Sequence, residues 1–418
     1  MAAPRLSVII PNWRRDAALE KALAGLRLQR DVPFEVIVVS DRVDPPPGLA
    51  DVKWATVAEP NVSLARNVGL AQAAGDWIAF LDDDAVPEPD WLNQLSTHIE
   101  SGLGAVGGPV LGPNGVRVQW GRLDLDETGS DTAPGTGMCP KLSGTNMIVN
   151  RAALAQIGGF DARFAYFHDD TDLTIRLHKA GWQIGWAEGA VVHHGYHPSQ
   201  RRGKRGLPQS LSDIGTSTAA YLATHVEPSL HATAKTGVYA REQRRLSKLH
   251  RLGLIGGRRL SSLLRELQAA MEHPVSAPKI APADPATSEF TPFHCHRGQS
   301  IAILPRIYNR KAARRDAQKL ASLGHTVTLI EMRYSPRPQA VSFAGHWYHL
   351  GGTFALRPVG LSPKWRVIPS AEAEMQRVAH HRNFALALTY TRGGARRWFT
   401  VPSDGAPWQS LTDAPFDF

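Results

Sequence analysis

The sequence predicts an α/β fold built on a mostly parallel sheet. Apolar, strand-like segments alternate with amphipathic helical segments along the first half of the chain. The early strand-like segments end in polar or acidic residues, and such alternation predicts a parallel sheet that binds ligands beyond the carboxyl ends of its strands. The chain has 418 residues, of which 43% are hydrophobic and 20% charged. That length predicts more than one domain.

The elements of the first half follow from periodicity and from turn residues. The predicted strands are residues 6–10, 34–39, 77–81, 142–149, 182–186 and 190–192. The predicted helices are residues 16–28, 63–75, 151–157 and 170–180. Ser63 is the expected N-cap of the second of these helices. The glycines Gly75 and Gly181 are the expected stops of two of them.

Three consecutive carboxylates follow the apolar segment 77–81. Asp82 and Asp84 are two residues apart at the mouth of the predicted sheet, so both side chains can reach one site. Hard carboxylate oxygens suit Mg²⁺ or Mn²⁺ that bridges a diphosphate. The alternative is an acidic turn that caps a helix beginning near Trp91. A second pair, Asp169 and Asp170, opens a predicted helix, where the macrodipole favours ionised carboxylates.

Four motifs occur in the order seen in glycosyltransferase family 2, which has the GT-A fold. They are Ser-Val-Ile-Ile-Pro-Asn at 7–12, Ala-Arg-Asn-Val-Gly at 65–69, Asp-Asp-Asp at 82–84 and Asp-Asp-Thr-Asp-Leu at 169–173. The chain resembles this family from about residue 6 to residue 225. The remainder has no such resemblance.

The resemblance implies a donor site for a nucleoside-diphosphate sugar, with a UDP-sugar as the first expectation. The implied donor-binding residues are Pro11, Asn12, Asp41, Arg66, Asp82 and Asp83. Asp41 matches an acid that accepts a hydrogen bond from the base or the ribose. The family often has two acids before a glycine at this turn, whereas this chain reads Ser40-Asp41-Arg42, so the base is left open. For Arg66 the alternative is a solvated surface arginine.

The resemblance also implies a metal site, an acceptor site and a catalytic base. Asp84 and Asp82 would hold Mn²⁺ or Mg²⁺ together with His193 or His194, and adjacent residues of a regular strand cannot both ligate because they point to opposite faces. The implied acceptor-binding residues are Gly144, Thr145 and Asn146. Asp170 is the expected base that accepts the proton of an acceptor hydroxyl, and Asp169 is the alternative. The family usually has glutamate where this chain has Asp169.

These features predict a metal-dependent, inverting glycosyltransferase that acts on a glycan or a lipid-linked acceptor in cell-surface glycan or polysaccharide synthesis. The inversion is implied by the family. One alternative is a nucleotidyltransferase that acts on sugar phosphates, although the residues after the first strand, Pro11 to Arg15, lack the glycine-rich phosphate loop of that class. Another is a non-catalytic protein that binds a nucleotide sugar or a membrane surface.

We expect four parts in the chain. Residues 1–205 would be the catalytic domain, 206–273 a basic helical segment, 274–292 a proline-rich linker and 293–418 a small α/β domain of unknown role. Residues 201–266 contain thirteen Lys or Arg against four Asp or Glu. Their helices, predicted at 210–225, 240–254 and 258–271, either lie on an anionic membrane surface or pack on the catalytic domain. No nucleic-acid-binding module accompanies the charge, so we expect no nucleic-acid partner.

Two further segments carry expectations. Residues 198–208 place Arg201, Arg202, Lys204 and Arg205 among glycines and prolines, which suits either a mobile loop over a diphosphate or a solvated run of charge. In the last domain we expect strands at 300–305, 326–331, 384–390 and 398–401 and a helix at 311–323.

The expected location is the cytoplasm, with peripheral contact at the inner face of the membrane as an addition. The chain has two cysteines far apart in sequence, which favours a reducing compartment. It opens without a leader-like apolar segment, and no apolar run reaches the ~18 residues that a spanning helix needs.

Overall fold

The computed structural model describes residues 5–99, 102–195, 201, 203, 206–273, 276–277, 280, 288–333, 339–352, 371–403 and 408–416. The strands of the first half are β1 Leu6–Pro11, β2 Phe34–Ser40, β3 Val52–Thr56, β4 Trp77–Phe80, β5 Ala85–Pro87, β6 Leu103–Gly107, β7 Val110–Leu111, β8 Val118–Trp120, β9 Asp124–Leu125, β10 Asp131–Thr132, β11 Cys139–Pro140, β12 Met147–Asn150, β13 Gln183–Trp186 and β14 Val192–His194. The helices of this half are α1 Asp16–Leu26, α2 Val62–Gln72, α3 Trp91–Ser96, α4 Arg151–Ile157 and α5 Asp169–Lys179.

The remaining elements form a helical segment and a second sheet. The helices are α6 Ser212–His225, α7 His231–Arg251, α8 Gly257–Met271, α9 Arg310–Ser322 and α10 Ala371–Arg382. The strands are β15 Ser300–Leu304, β16 Thr326–Arg333, β17 Ala340–Phe343, β18 Trp347–Gly352, β19 Leu386–Tyr390, β20 Arg396–Thr400 and β21 Gln409–Ser410.

The first half is organised around a seven-stranded sheet in the order β13-β6-β12-β4-β1-β2-β3. The pairs β1–β2, β1–β4, β2–β3 and β6–β13 are parallel, whereas β12 runs antiparallel to both of its neighbours. The parallel strands β1, β2 and β4 therefore present their carboxyl ends at one edge. A small sheet in the order β5-β14-β7-β8 lies beside that edge. The predicted α/β class with a mostly parallel sheet is confirmed.

Alternation along the strands explains why both faces of this sheet are covered. Val8 and Ile10 lie in one apolar core with Leu19 and Leu23 of α1. Ile9 points to the other face, into a core that contains Ala65 and Leu70 of α2. α2 approaches the sheet so closely that a Cβ on Gly69 would lie 2.6 Å from a methyl group of Ile9. A glycine at this position allows the helix that carries Arg66 to sit directly on β1.

One helix start differs from the prediction. Asn61 is the N-cap of α2, and its side chain accepts a hydrogen bond from the backbone N–H of Leu64 at 3.0 Å. The predicted N-cap, Ser63, lies inside the first turn and donates its hydroxyl to the carbonyl oxygen of Phe164 at 2.7 Å. The side chain of Asn61, two residues before Ser63, therefore accepts from a free backbone N–H group of the first turn, which is the ordinary function of an N-cap.

The basic helical segment buries its apolar stripe within the protein. Leu263, Leu264 and Leu267 of α8 pack with Leu246 of α7 and with Leu211, just before α6. This face is therefore not available to a membrane, and packing in the protein is the alternative that the structure favours. The predicted segments 198–208 and 274–292 fall largely outside the described residues, which include Arg201 of the first and only parts of the second.

The last domain has its own seven-stranded sheet, in the order β17-β18-β16-β15-β19-β20-β21. The pairs β15–β16, β15–β19 and β16–β18 are parallel. This domain packs against the first half through Val341, Phe343 and Trp347, which share an apolar cluster with Leu28 and Val86. Among the described residues, no helix combines the length and the apolar character needed to cross a bilayer.

Candidate active site and metal centre

A cavity of about 750 Å³ opens at the carboxyl ends of β1 and β4. It contains both predicted carboxylate clusters. The predicted site residues that line it are Pro11, Asn12, Arg66, Asp82, Asp84, Gly144, Thr145, Asp169, Asp170 and His194. Segments far apart in sequence thus meet at one edge of the sheet, as expected for an α/β fold.

Asp82, Asp84 and His194 can hold a metal ion together, because their ligand atoms all lie within 4.8 Å of one another. Antiparallel pairing of β5 with β14 produces this arrangement, since it sets His194 opposite Ala85, the residue after Asp84. The backbone N–H of Gly195 also donates to the carbonyl oxygen of Asp84 at 2.7 Å. Two carboxylates and one imidazole are a donor set that fits Mn²⁺ or Mg²⁺, with the imidazole favouring Mn²⁺.

These three residues, called the metal group below, have side chains that are oriented by their neighbours. His194 Nε2 lies 3.2 Å from Asp84 Oδ1 and 3.9 Å from Asp82 Oδ2. Thr145 donates its hydroxyl to Asp82 Oδ2 at 2.5 Å. His194 also packs against Trp120, with 5.4 Å between ring centroids. The cluster is therefore held before any cation arrives, which lowers the cost of assembling it.

Arg15 lies beside the same cluster and was not among the predicted site residues. Its guanidinium donates to Asp84 Oδ2 at 3.0 Å and to Asp83 Oδ2 at 3.0 Å. Burial raises the pKa of the Asp83 carboxyl, as do the carboxylates of Asp84 and Asp82, whereas Arg15 opposes that rise. Arg15 lies three residues after Asn12, just beyond the end of the first strand, and this position is the sequence signal that could have identified it.

Arg66 connects the two carboxylate clusters. It is buried, forms an ion pair with Asp169, and donates to the carbonyl oxygen of Gly144 at 3.1 Å. Its Nη2 lies 3.6 Å from Asp82 Oδ1. The alternative of a solvated surface arginine is therefore excluded. Burial raises the pKa of the Asp169 carboxyl, while Arg66 lowers it and the neighbouring Asp170 raises it.

Asp170 is the more open of the two acids at the start of α5. Its Oδ2 accepts from the backbone N–H of Gly144 at 3.1 Å, and its Oδ1 accepts from the hydroxyl of Thr171 at 3.3 Å. His168, which precedes the pair, has φ +64°, in the left-handed region that residues other than glycine seldom adopt. This turn directs both acids into the cavity from one helix end.

Two predicted donor-side residues do not line the cavity. Asp41 accepts hydrogen bonds from Arg14 through the backbone N–H at 3.1 Å and Nε at 3.3 Å. Asp83 accepts from Asn12 Nδ2 at 2.9 Å and from Arg15. Asn12, although at the cavity wall, also accepts the hydroxyl of Ser40 at 3.1 Å. Asp83 therefore supports the wall from behind.

Two other predicted residues lie away from the cavity, and both predictions are corrected. Asn146 is fully buried and uses its amide within the fold, accepting from Trp91 Nε1 at 2.8 Å and donating to the carbonyl oxygens of Pro109 and Ala190 at 3.0 and 2.7 Å. His193 points to the opposite face of β14 from His194, where its Nε2 lies 2.8 Å from Glu88 Oε1. Neither side chain can reach an acceptor or the metal group.

The basic helical segment contributes a wall that the sequence analysis did not assign to the site. The cavity residues from this segment and from the loops facing it include Trp120, Lys141, Tyr166, Arg201, Arg241, Glu242 and Arg245. Glu242 is largely buried and pairs with Arg241 and Arg245 of α7. The available signal was the basic face of α7, which the sequence alone could not orient toward the cavity.

The profile of the family described as "Glycosyltransferase like family 2" matches residues 4–205. Residues 4–205 form a domain of glycosyltransferase family 2. The resemblance seen in the motifs is thereby confirmed. The nucleotidyltransferase alternative loses its support.

Similar proteins include glycosyltransferases and a glycan-synthesis protein. An N-acetylglucosaminyl-diphospho-decaprenol L-rhamnosyltransferase of Mycobacterium tuberculosis is 32% identical over 158 residues, which are 35% of this chain and 49% of the relative. The succinoglycan biosynthesis protein ExoM of Rhizobium meliloti is 30% identical over 213 residues, 45% of this chain and 66% of the relative. The chain thus spans about half to two thirds of the length of these relatives.

Among solved structures, a mannosyltransferase of Pyrobaculum calidifontis in complex with GDP-Man and Mn²⁺ matches with a TM-score of 0.40 and 19% identity. The match covers 65% of this chain and 86% of that one.

Proposed function

We propose that this protein transfers a sugar from a nucleoside-diphosphate sugar to an acceptor hydroxyl with inversion at the anomeric carbon. The observation that carries the proposal is one cavity lined both by a group that could hold a metal ion and by a pair of adjacent acids. These are the two functions that the reaction needs: stabilisation of a leaving diphosphate and removal of a proton.

Asp170 acts as the base in this proposal. The acceptor oxygen forms a bond to the anomeric carbon, the bond from that carbon to the diphosphate oxygen breaks, and the hydroxyl proton passes to Asp170. Asp169 is less suited because its carboxylate is paired with Arg66. Among the described residues, the side-chain partners of Asp170 are two neutral groups, the N–H of Gly144 and the hydroxyl of Thr171, so its carboxylate is open to an acceptor hydroxyl. The ion pair of Asp169 with Arg66 instead holds the turn at the start of α5 in place.

Asp82, Asp84 and His194 would hold the divalent cation, which when bound supplies charge to stabilise the leaving diphosphate. Arg15 is paired with Asp84 and would share the diphosphate charge. Pro11 and Asn12 would line the donor side. Gly144 and Thr145 would face the acceptor.

The acceptor class we propose is a growing cell-surface glycan or a lipid-linked sugar. The support comes from the names of two relatives, one a transferase that acts on a diphospho-decaprenol substrate and the other a succinoglycan biosynthesis protein. The arginines of α7 on the cavity wall would suit the phosphate groups of a lipid-linked acceptor.

The test is thermal stability against a panel of nucleoside diphosphates and nucleotide sugars, with and without Mn²⁺, for wild type and Asp84→Asn. A ligand that binds only the native state raises Tm. We expect a rise that requires both a nucleotide and the metal, and that Asp84→Asn loses. The nucleotide that gives the rise identifies the base.

Asp76→Asn is the matched control, since Asp76 is an exposed acid next to the opposite end of β4. It should keep the wild-type response. If no nucleotide raises Tm in the presence of metal, the donor site fails and with it the proposed transfer. A metal-independent rise would remove only the cation from the proposal.

A further inference from the structure

The last domain is joined to the glycosyltransferase domain by a chain of buried charged groups that ends beside the metal group. Arg382, the last residue of α10, is fully buried. Its Nε and Nη2 donate to the two carboxylate oxygens of Glu88 at 3.0 and 2.8 Å. Glu88 Oε1 also lies 2.8 Å from His193 Nε2. An arginine of the last domain thus reaches, through Glu88, the strand that carries His194.

The other nitrogen of Arg382 is held within its own domain. Nη1 lies 3.2 Å from the hydroxyl oxygen of Thr328 and 2.6 Å from His349 Nε2. Because arginine only donates, His349 must accept at Nε2 and carry its proton on Nδ1, which lies 2.7 Å from Glu374 Oε1. Both sides of the arginine are therefore fixed by groups that are themselves buried.

The geometry of β5 and β14 makes this contact relevant to the metal group. These two strands pair antiparallel, with Val86 opposite His193 and Ala85 opposite His194. Because successive side chains of a strand alternate, His194 faces Asp84 while His193 faces Glu88. Any shift of one of these strands against the other would move His194 relative to Asp84.

The interface has no need of a buried ion pair for adhesion alone. It already contains an apolar cluster in which Val86 packs with Trp347. The ring of Trp347 also lies under Arg382, with 4.3 Å between the ring centroid and the guanidinium carbon. The same ring lies beside His193, with 4.7 Å between ring centroids. Buried ion pairs cost desolvation and often add little stability over apolar packing, whereas they fix geometry. The ion pair lies where the strand pair of the metal group has to be held.

We propose that the last domain positions the metal group, and that Arg382 is the positioning residue that acts through Glu88 and His193. This inference rests on the metal site of the proposed function. It gives the last domain a role: the cation site of the glycosyltransferase domain is rigid only when that domain is docked. Partners that orient metal ligands typically change metal affinity by about 10- to 100-fold when they are removed.

The test measures Mn²⁺ binding directly, by the electron paramagnetic resonance signal of free Mn²⁺, in full-length protein. Arg382→Met should raise the Mn²⁺ dissociation constant by roughly tenfold. His193→Gln should do the same while leaving the Arg382–Glu88 pair in place, and so tests the step even where Arg382→Met folds poorly. Arg382→Lys keeps the charge without the two-pronged contact and should recover part of the affinity.

Arg30→Met is the matched control. Arg30 crosses the same interface and donates to the carbonyl oxygens of Arg382 and His381 at 3.1 and 2.6 Å, yet it touches neither Glu88 nor His193. It should leave the Mn²⁺ constant unchanged. A folded Arg382→Met or His193→Gln protein that binds Mn²⁺ as wild type does overturns the inference, as does equal weakening by Arg30→Met.

Failure of the inference and failure of the proposed function give different results. If wild type binds Mn²⁺ and the variants bind it equally, the metal centre stands and only the positioning role falls. If wild type itself does not bind Mn²⁺, the metal part of the proposed function falls, and the positioning role falls with it.

Discussion

Replacing Arg66 with methionine should destabilise the protein through Asp169. The guanidinium is the cation paired with that carboxylate, and both groups are buried. Removing one partner of a buried ion pair costs about 3–5 kcal/mol, because the other charge is left in a low-dielectric site. Arg66 also donates to the carbonyl oxygen of Gly144, and that oxygen would lose a partner. We therefore expect the free energy of unfolding to fall by about 4 kcal/mol at pH 8.

The loss should depend on pH in a direction set by the Asp169 carboxyl. Burial already raises its pKa in the folded protein, and Arg66 is the group that opposes this rise. The variant therefore has a still higher folded pKa. A group with a raised folded pKa contributes stability that is present at low pH and is lost as pH rises through that pKa. The deficit of Arg66→Met relative to wild type should accordingly be smaller at pH 6 than at pH 8.

Urea unfolding at both pH values measures these free energies. Arg66→Met/Asp169→Asn is the control, because it removes the unpaired charge together with its partner. It should be more stable than Arg66→Met at pH 8, and its deficit should vary little between the two pH values. A deficit for Arg66→Met below about 1 kcal/mol, the scale of exposed ion pairs, would refute the buried pair. A deficit that grows toward pH 6 would refute the assignment to Asp169.

Three further variants test individual residues. Asp170→Asn should lower kcat by roughly 10²- to 10⁴-fold, the contribution of a general base, with the nucleotide-induced rise in Tm unchanged; a rate near that of wild type would rule out this base. Asn146→Ala should lower the free energy of unfolding by about 3 kcal/mol, since it strands the buried N–H of Trp91, whereas a raised acceptor KM without loss of stability would restore the predicted acceptor role. Gly144→Ala places a Cβ 2.4 Å from Arg66 Nη2 and should cost about 1–3 kcal/mol by denaturant unfolding, whereas Gly237→Ala, with open space at its Cβ, should cost nothing; equal effects would contradict the close contact.

The part of the fold that could be predicted from sequence is the part set by local pattern. The strand β1 and the helix α4 appear almost where periodicity places them, because their apolar residues are spaced for one structure only. The end of β4 beside Asp82 follows from the same pattern. The N-cap of α2 was misplaced by two residues, because Asn61 and Ser63 are both good caps and the choice depends on the distant carbonyl of Phe164, which engages Ser63.

The site was predictable as far as its motifs reach. The acids at 82–84 could be found because they follow a strand signal, and those at 169–170 because they begin a helix signal. Arg15 and the α7 wall were missed, since their contribution depends on contacts with residues distant in sequence. The same reason explains Arg382, which lies 294 residues from Glu88. Nothing in the local sequence around Arg382 indicates that it reaches another domain.

Adjacent identical residues show why the sequence could name this site but not divide its roles. In two pairs, Asp84 with Asp83 and His194 with His193, the first member lines the cavity and the second does not. In the third pair, Asp170 and Asp169 both line the cavity, but Asp169 is taken up by an ion pair. Strand alternation separates the two histidines, and for the two aspartates at the start of α5 the separation comes from Arg66, which takes one carboxylate. Chemically equal groups thus acquire different environments, and environment rather than residue type decides which carboxylate stays open to a ligand. Substituting Asp84, Asp170 or His194 should therefore affect ligand binding or turnover directly. Substituting Asp83, Asp169 or His193 should act through the position of the neighbouring residue.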